Sequence, residues 1–152
     1  MMPRFLNEYT IDFFLVPMPY ALLDQDVLDE TFPKFKSLGV GVVVVASYVS
    51  GILFSGAIEG AKYKYMEATP EVRQRVRSVE RLCNDHQIPS KAAALKFPLG
   101  FSLVALIIPR AFQTVQVLEK QQLVEHRIPP ALSDDCKSAC FIRNDALPPK
   151  TW

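Results

Sequence analysis

One stretch constrains this chain more than any other: residues 39–56, GVGVVVVASYVSGILFSG. Its first part, residues 40–45, is a β-branched run without the apolar/polar alternation of a half-buried strand. Such a run fits a parallel strand buried on both faces, with helices on one side and a second packed layer on the other. In sheets of that kind ligands bind beyond the carboxyl ends of the strands. Ser50-Gly51 follows just past that end, so the stretch predicts both an architecture and a place for a site.

The rest of the chain extends the pattern. Residues 11–16, IDFFLV, predict a short buried strand that Met18-Pro19-Tyr20 leaves, and Leu103–Ile108, LVALII, predicts another. Residues 26–38 predict a helix with Val27, Leu28, Phe32, Phe35 and Leu38 on one face, Asp26 as N-cap and a kink at Pro33. Gly39 suits the left-handed position after it. Residues 48–69 predict a long loop with Tyr63 and Tyr65. Thr69-Pro70 opens a helix to about His86, with Val72, Val76, Val79, Leu82 and Cys83 inward and its arginines on a solvated, ion-paired face. Further helices are expected over 91–97 and, capped by Thr114, over 115–124. Alternating strands and helices predict an α/β chain of right-handed βαβ units. Residues 1–132 form the predicted domain; 133–152, with Pro148-Pro149 near the end, read as a polar, partly disordered tail.

Composition excludes several functions. A net charge of +1 without a basic cluster argues against nucleic acid as a partner. The apolar run 40–54 is shorter than the ~20 residues of a spanning helix, and no signal peptide is visible, so no membrane is expected and a cytoplasmic setting is. Cys83, Cys136 and Cys140, odd in number and irregularly spaced, read as reduced thiols rather than metal ligands. His86 reads as structural at a helix C-terminus, and His126 as exposed. There is no P-loop, G-x-G-x-x-G, G-x-S-x-G or H-E-x-x-H pattern. What remains is ligand-binding geometry. The loops Pro19-Tyr20, 47–51 and Pro109-Arg110-Ala111 follow the three predicted strands and share one face if those strands are parallel. Small Ser-Gly loops admit a phosphate to backbone N–H groups, and a tyrosine at a strand mouth can stack on a planar ring.

Particular segments carry a resemblance. They are YALLDQ (20–25), LGVGV (38–42), YVSGIL (48–53), GAKY (60–63), Ile88-Pro89, AAALKFPL (92–99), Ile107-Ile108-Pro109 and IPPAL (128–132). In this order and spacing, over roughly residues 11–132, the chain resembles the C-terminal half of an aldo/keto reductase. The branch is that of the L-galactose, L-fucose and pyridoxal 4-dehydrogenases. The resemblance implies part of a (β/α)8 TIM barrel, with the three strands as its sixth to eighth, and NAD or NADP as cofactor. It implies that Tyr20 stacks on the nicotinamide and that Ser50, Gly51 and Leu53 contact the pyrophosphate. Ile108-Pro109 would begin the adenosine-phosphate loop, and Glu119 would contact adenine.

This chain departs from the family at the adenosine end. Arg110 stands where the family has Gly, Phe112 where it has Arg, Lys120 where it has Asn, and Val49 where Asn is frequent. The resemblance also implies that the catalytic Asp, Tyr, Lys and His belong to earlier strands, so no catalytic residue is expected here. The expectation is thus an NAD(P)-dependent oxidoreductase of a sugar or other carbonyl or alcohol, seen as a partial chain inactive by itself. The alternatives are a non-catalytic nucleotide-binding protein, or a half-barrel that self-associates through open edges.

Overall fold

The computed structural model describes residues 5–17, 20–45 and 47–147; Pro19 and Pro148-Pro149 lie outside these. Strands β1 (Phe13–Pro17), β2 (Gly41–Val45) and β5 (Val104–Ile108) form one parallel sheet with β2 in the centre. The register places Leu15 beside Val43 and Val43 beside Leu106. Helix α1 (Thr31–Ser37) connects β1 to β2. Between β2 and β5 come α2 (Ile52–Ser55), a hairpin of β3 (Lys62–Tyr63) and β4 (Met66–Glu67), α3 (Pro70–Asp85) and α4 (Ser90–Lys96). Helices α5 (Thr114–Glu125) and α6 (Pro130–Ser138) follow.

Only β2 is buried as its sequence predicts, with Val42 and Val44 fully enclosed and Val43 nearly so. The flanking strands are not. Phe13 is 59% exposed, Leu15 56%, Leu106 46% and Ile108 47%. These four alternate along β1 and β5 and share one face, since side chains switch faces at every residue. Helices cover the opposite face, where Phe14 stacks on Phe35 of α1 at 5.0 Å. The second packed layer expected from the sequence is therefore not found among the described residues.

Other expectations change for local reasons. The helix expected over 26–38 is a 3-10 turn at Asp26–Leu28 followed by α1. Pro33 lies in the first turn of α1, where its missing N–H has no intrahelical partner to lose, so no kink is needed. Asp24, rather than Asp26, supplies the capping carboxylate, accepting from the Asp26 N–H. Gly39 does take a left-handed φ of 69° after α1. The expected loop 48–69 contains α2 and the hairpin. Thr69 Oγ1 accepts from Val72 N–H, so α3 begins where Thr-Pro predicts. Arg75 is not part of a solvated ion-paired face: it donates to the Leu23 carbonyl at 3.2 Å and the Phe141 carbonyl at 2.7 Å. Helix α5 begins at Thr114 itself, with no side-chain cap at Gln113.

The boundary expected at 132/133 falls inside α6, and packed structure continues to residue 147. Cys136, Ile142 and Ala146 are buried, and Gln25 Oε1 accepts from the Arg143 N–H. Composition alone made this segment look weakly structured, but Cys136, Ile142 and Ala146 reach the core. His86 packs toward it, with Nε2 2.7 Å from Asp135 Oδ2. All three cysteines are free, and burial pushes the Cys83 thiol up to about 12 and that of Cys136 to about 11. No helix among the described residues is long and apolar enough to cross a membrane.

Candidate functional site

The carboxyl ends of β1, β2 and β5 meet at a cavity of about 690 Å³. Pro17, Val45 and Ile108 end the strands that floor it; the loop after β2, the hairpin and the first turn of α5 build its walls. The β2 loop has an unusual backbone. Val49, Ser50 and Gly51 take φ values of 48°, 58° and 97° in succession. Glycine accepts this region freely, but a β-branched valine does not. Val49 is fully buried, so core packing holds the turn in a conformation the isolated segment would avoid. The Gly51 and Leu53 N–H groups both donate to the Tyr48 carbonyl, closing the turn into α2.

The hairpin is tied across this loop. Tyr65 N–H donates to Ser50 Oγ at 3.0 Å. Lys64 and Tyr65 are both left-handed, as a two-residue hairpin turn requires. The Lys64 ammonium pairs with the buried Asp24 carboxylate, and that hydrogen bond raises the lysine pKa. Lys62 and Tyr65 thereby reach the cavity wall.

The wall formed by α2 and α5 is aromatic and cationic. Tyr48 is 7% exposed and meets Phe54 edge to face at 5.1 Å. Its hydroxyl is buried without a hydrogen-bond partner among the described residues. Burial, and secondarily the charge of Glu119, raises the Tyr48 pKa, so the phenol stays protonated. The Lys120 ammonium lies 4.6 Å from the Phe54 ring centroid and 5.9 Å from that of Tyr48. The Arg110 guanidinium lies over Phe112 at 4.1 Å.

The residues expected to hold a cofactor divide into two groups. Ser50, Gly51, Ile108 and Pro109 line the cavity together. Leu53 does not: it is 3% exposed and belongs to the core. Glu119 pairs with Lys91 at 2.8 Å and does not line the cavity. Tyr20 is also not at the mouth. Its ring has no exposure, stacks on Phe97 at 4.8 Å and touches Phe32 and Phe101, so no ligand ring can reach it here. Its hydroxyl donates to the Leu147 carbonyl and accepts from the Leu147 N–H. Sequence reasoning missed Tyr48, Lys62 and Lys120 as cavity residues. For Tyr48 the signal was present, since it lies in the loop directly after the strand. Among the described residues no group of three or more His, Cys, Asp or Glu side chains is arranged to hold a metal.

Parallel strands joined through helices, with a cavity at their carboxyl ends, define an α/β chain with a candidate ligand site. Comparison with known proteins narrows the class. No family model matches the chain. It is 26% identical over 140 residues to a D-threo-aldose 1-dehydrogenase of a Pseudomonas species, a match over 91% of this chain and 43% of that protein. It is 29% identical over 124 residues to a pyridoxal 4-dehydrogenase of Microbacterium luteolum, over 82% of this chain and 36% of that protein. Among solved structures, the holo form of an aldo-keto reductase from Bacillus halodurans superposes with a TM-score of 0.67 at 21% identity, over 90% of this chain and 45% of the other. A glycerol dehydrogenase from Gluconobacter oxydans gives 0.64 at 13% identity, over 95% and 48%. At these identities the structural likeness shows the fold alone. These likenesses support an aldo/keto reductase family, and the chain spans less than half the length of the relatives it matches.

Proposed function

We propose that this chain holds the cofactor in an NAD(P)-dependent oxidoreductase acting on an aldose or another small carbonyl or alcohol. The observation that carries the reading is the cationic, aromatic-walled cavity at the carboxyl ends of three parallel strands. In this reading β1, β2 and β5 are the sixth to eighth strands of a (β/α)8 barrel. The cavity fits a dinucleotide: its cations suit phosphates, its rings suit planar bases, and the unpartnered Tyr48 hydroxyl is a polar group that a ligand can satisfy. Ser50 and Gly51 would hold the pyrophosphate, Ile108 and Pro109 would pack against the adenosine side, and Tyr48 and Phe54 would exclude water. Leu53 and Glu119 act from behind the wall, and Tyr20 supports the sheet from the core. The nicotinamide supplies the hydride when bound. The group that exchanges a proton with the substrate belongs to the remainder of the barrel. The free thiols suit a reducing, cytoplasmic setting.

Titration with NADPH, followed by nucleotide fluorescence, tests this. Saturable binding without hydride transfer to an aldose is the expected result. Absence of saturation refutes the cofactor role, and turnover by the pure chain refutes the assignment of proton chemistry elsewhere.

A second reading rests on the open sheet face. Phe13, Leu15, Leu106 and Ile108 expose apolar area, and β1 and β5 are both edges. Faces and edges of this kind associate. Light scattering of the isolated chain is expected to show dimers or larger species, reduced by Leu106→Asp. A monodisperse wild-type monomer rules the association out.

A further inference from the structure

Two of the three cysteines meet inside the molecule, away from the cavity described above. Cys83, on α3, and Cys136, on α6, are both buried and free. Both line one small void of about 20 Å³, whose other walls include Leu22, Phe97 and Leu132. A void of that size holds about one water-sized sphere. Helices α3 and α6 pack on each other, and the 2.7 Å contact between His86 and Asp135 fixes their register. His86 closes α3 one turn after Cys83, and Asp135 directly precedes Cys136. The same contact therefore brings the two thiols to one place. A charge on Cys136 contributes to raising the Cys83 thiol, so the two groups lie within electrostatic reach. A close-packed core leaves a side chain little room to move, whereas these two share free volume.

The surroundings decide what such a pair can become. Thiolates left charged among apolar side chains are costly. A metal ion would find two thiols but no group of three or more His, Cys, Asp or Glu ligands among the described residues. A disulfide is neutral and adds no polar group to the core. We propose that Cys83 and Cys136 form a reversible disulfide that staples α3 to α6, with a small-molecule disulfide as the oxidant. In the first exchange one protein thiolate attacks the external disulfide, forms a mixed disulfide and releases one small thiolate. In the second, the other protein thiolate attacks the protein sulfur of that mixed disulfide and releases the second. The protein pair loses two electrons and two protons, and the external disulfide gains both and becomes two thiols. The void is too small for the oxidant, so the first attack follows a local opening of α6. Cys140, exposed just beyond α6, has no part in the pair. The bond closes a long loop holding α4, β5 and α5, and closing long loops removes the most freedom from the unfolded chain. The oxidised chain resists unfolding, and α6 is pinned to α3.

The test uses the whole 152-residue chain carrying Cys140→Ser, equilibrated without denaturant in oxidised or in reduced glutathione. Non-reducing peptide mapping is expected to recover Cys83 and Cys136 as one linked pair, with a mass loss of two hydrogens that dithiothreitol reverses. Formation should take minutes to hours. The linked form should melt about 5–15 °C above the reduced form. Cys83→Ala or Cys136→Ala, added to Cys140→Ser, should abolish both the link and the response of the Tm to oxidised glutathione. Both thiols still free after prolonged oxidation, or a bond that forms only once urea has unfolded the chain, overturns the proposal. A linked form that melts no higher than the reduced one also overturns it, because the native packing then does not accommodate the bond. In the wild-type chain the same pair should be found, and Cys140 joined to Cys136 in its place overturns the pairing.

Discussion

Tyr20→Ala is expected to destabilise the chain by about 3–5 kcal/mol, and Tyr20→Phe by about 1 kcal/mol. Neither should change NADPH affinity per folded molecule. The first figure follows from removal of a ring with no solvent exposure, packed on Phe97, Phe32 and Phe101. A truncation there leaves a cavity that the surrounding rings cannot fill without leaving their own contacts. The second figure isolates the hydroxyl, which ties Leu147 through its N–H at 3.1 Å and its carbonyl at 3.3 Å. Urea unfolding of both variants, with NADPH titration under folding conditions, separates the two roles. A fall in affinity for Tyr20→Phe or Tyr20→Ala, without loss of folded protein, would return Tyr20 to the cofactor site that the family resemblance implied for it.

The case of Tyr20 shows where sequence reasoning runs out. Its motif places it at the end of a strand, and strand ends in such sheets bind ligands. Its ring instead packs on Phe97, Phe32 and Phe101, from segments distant in sequence, and no local pattern reports that. By contrast, the burial of β2 was legible, because a run of valines without polar interruption fits a strand enclosed on both faces. The start of α3 was legible because Thr69-Pro70 carries its own capping chemistry. The exposure of β1 and β5 was not, since Phe13 and Ile108 read as core whatever covers them. Nor was the hairpin: Lys64-Tyr65 lacks the Asn-Gly signature of a tight turn. It is held instead by Asp24 and Ser50, each far away in sequence. The cationic mouth was illegible for the same reason. Lys62, Arg110 and Lys120 belong to separate segments, and only the parallel pairing of β2 with β5 brings them to one cavity.

Lys96→Met is expected to cost about 2–4 kcal/mol, because it strands two carbonyls that a buried ammonium now satisfies. Lys96 is 2% exposed, and its ammonium donates to the carbonyls of Val124 at 3.0 Å and His126 at 2.7 Å. These lie at the C-terminus of α5, where backbone carbonyls lack intrahelical partners and a cation complements the helix dipole. Burial holds the ammonium below the ordinary lysine value, so the site carries a desolvation cost that only these carbonyls offset. Helix α5 depends on that anchor more than its length suggests, since only Lys120 and Leu123 are buried along it. Methionine preserves the aliphatic stem, so the loss reports on the ammonium rather than on packing. Amide exchange over residues 114–125 should therefore accelerate ahead of exchange in α3 and β2. Because α5 also carries Lys120, nucleotide affinity should weaken along with it. Unchanged stability and unchanged exchange in α5 would show that solvent replaces the ammonium at no cost, and that the helix is held by the contacts of Leu123 and the Lys91–Glu119 pair instead.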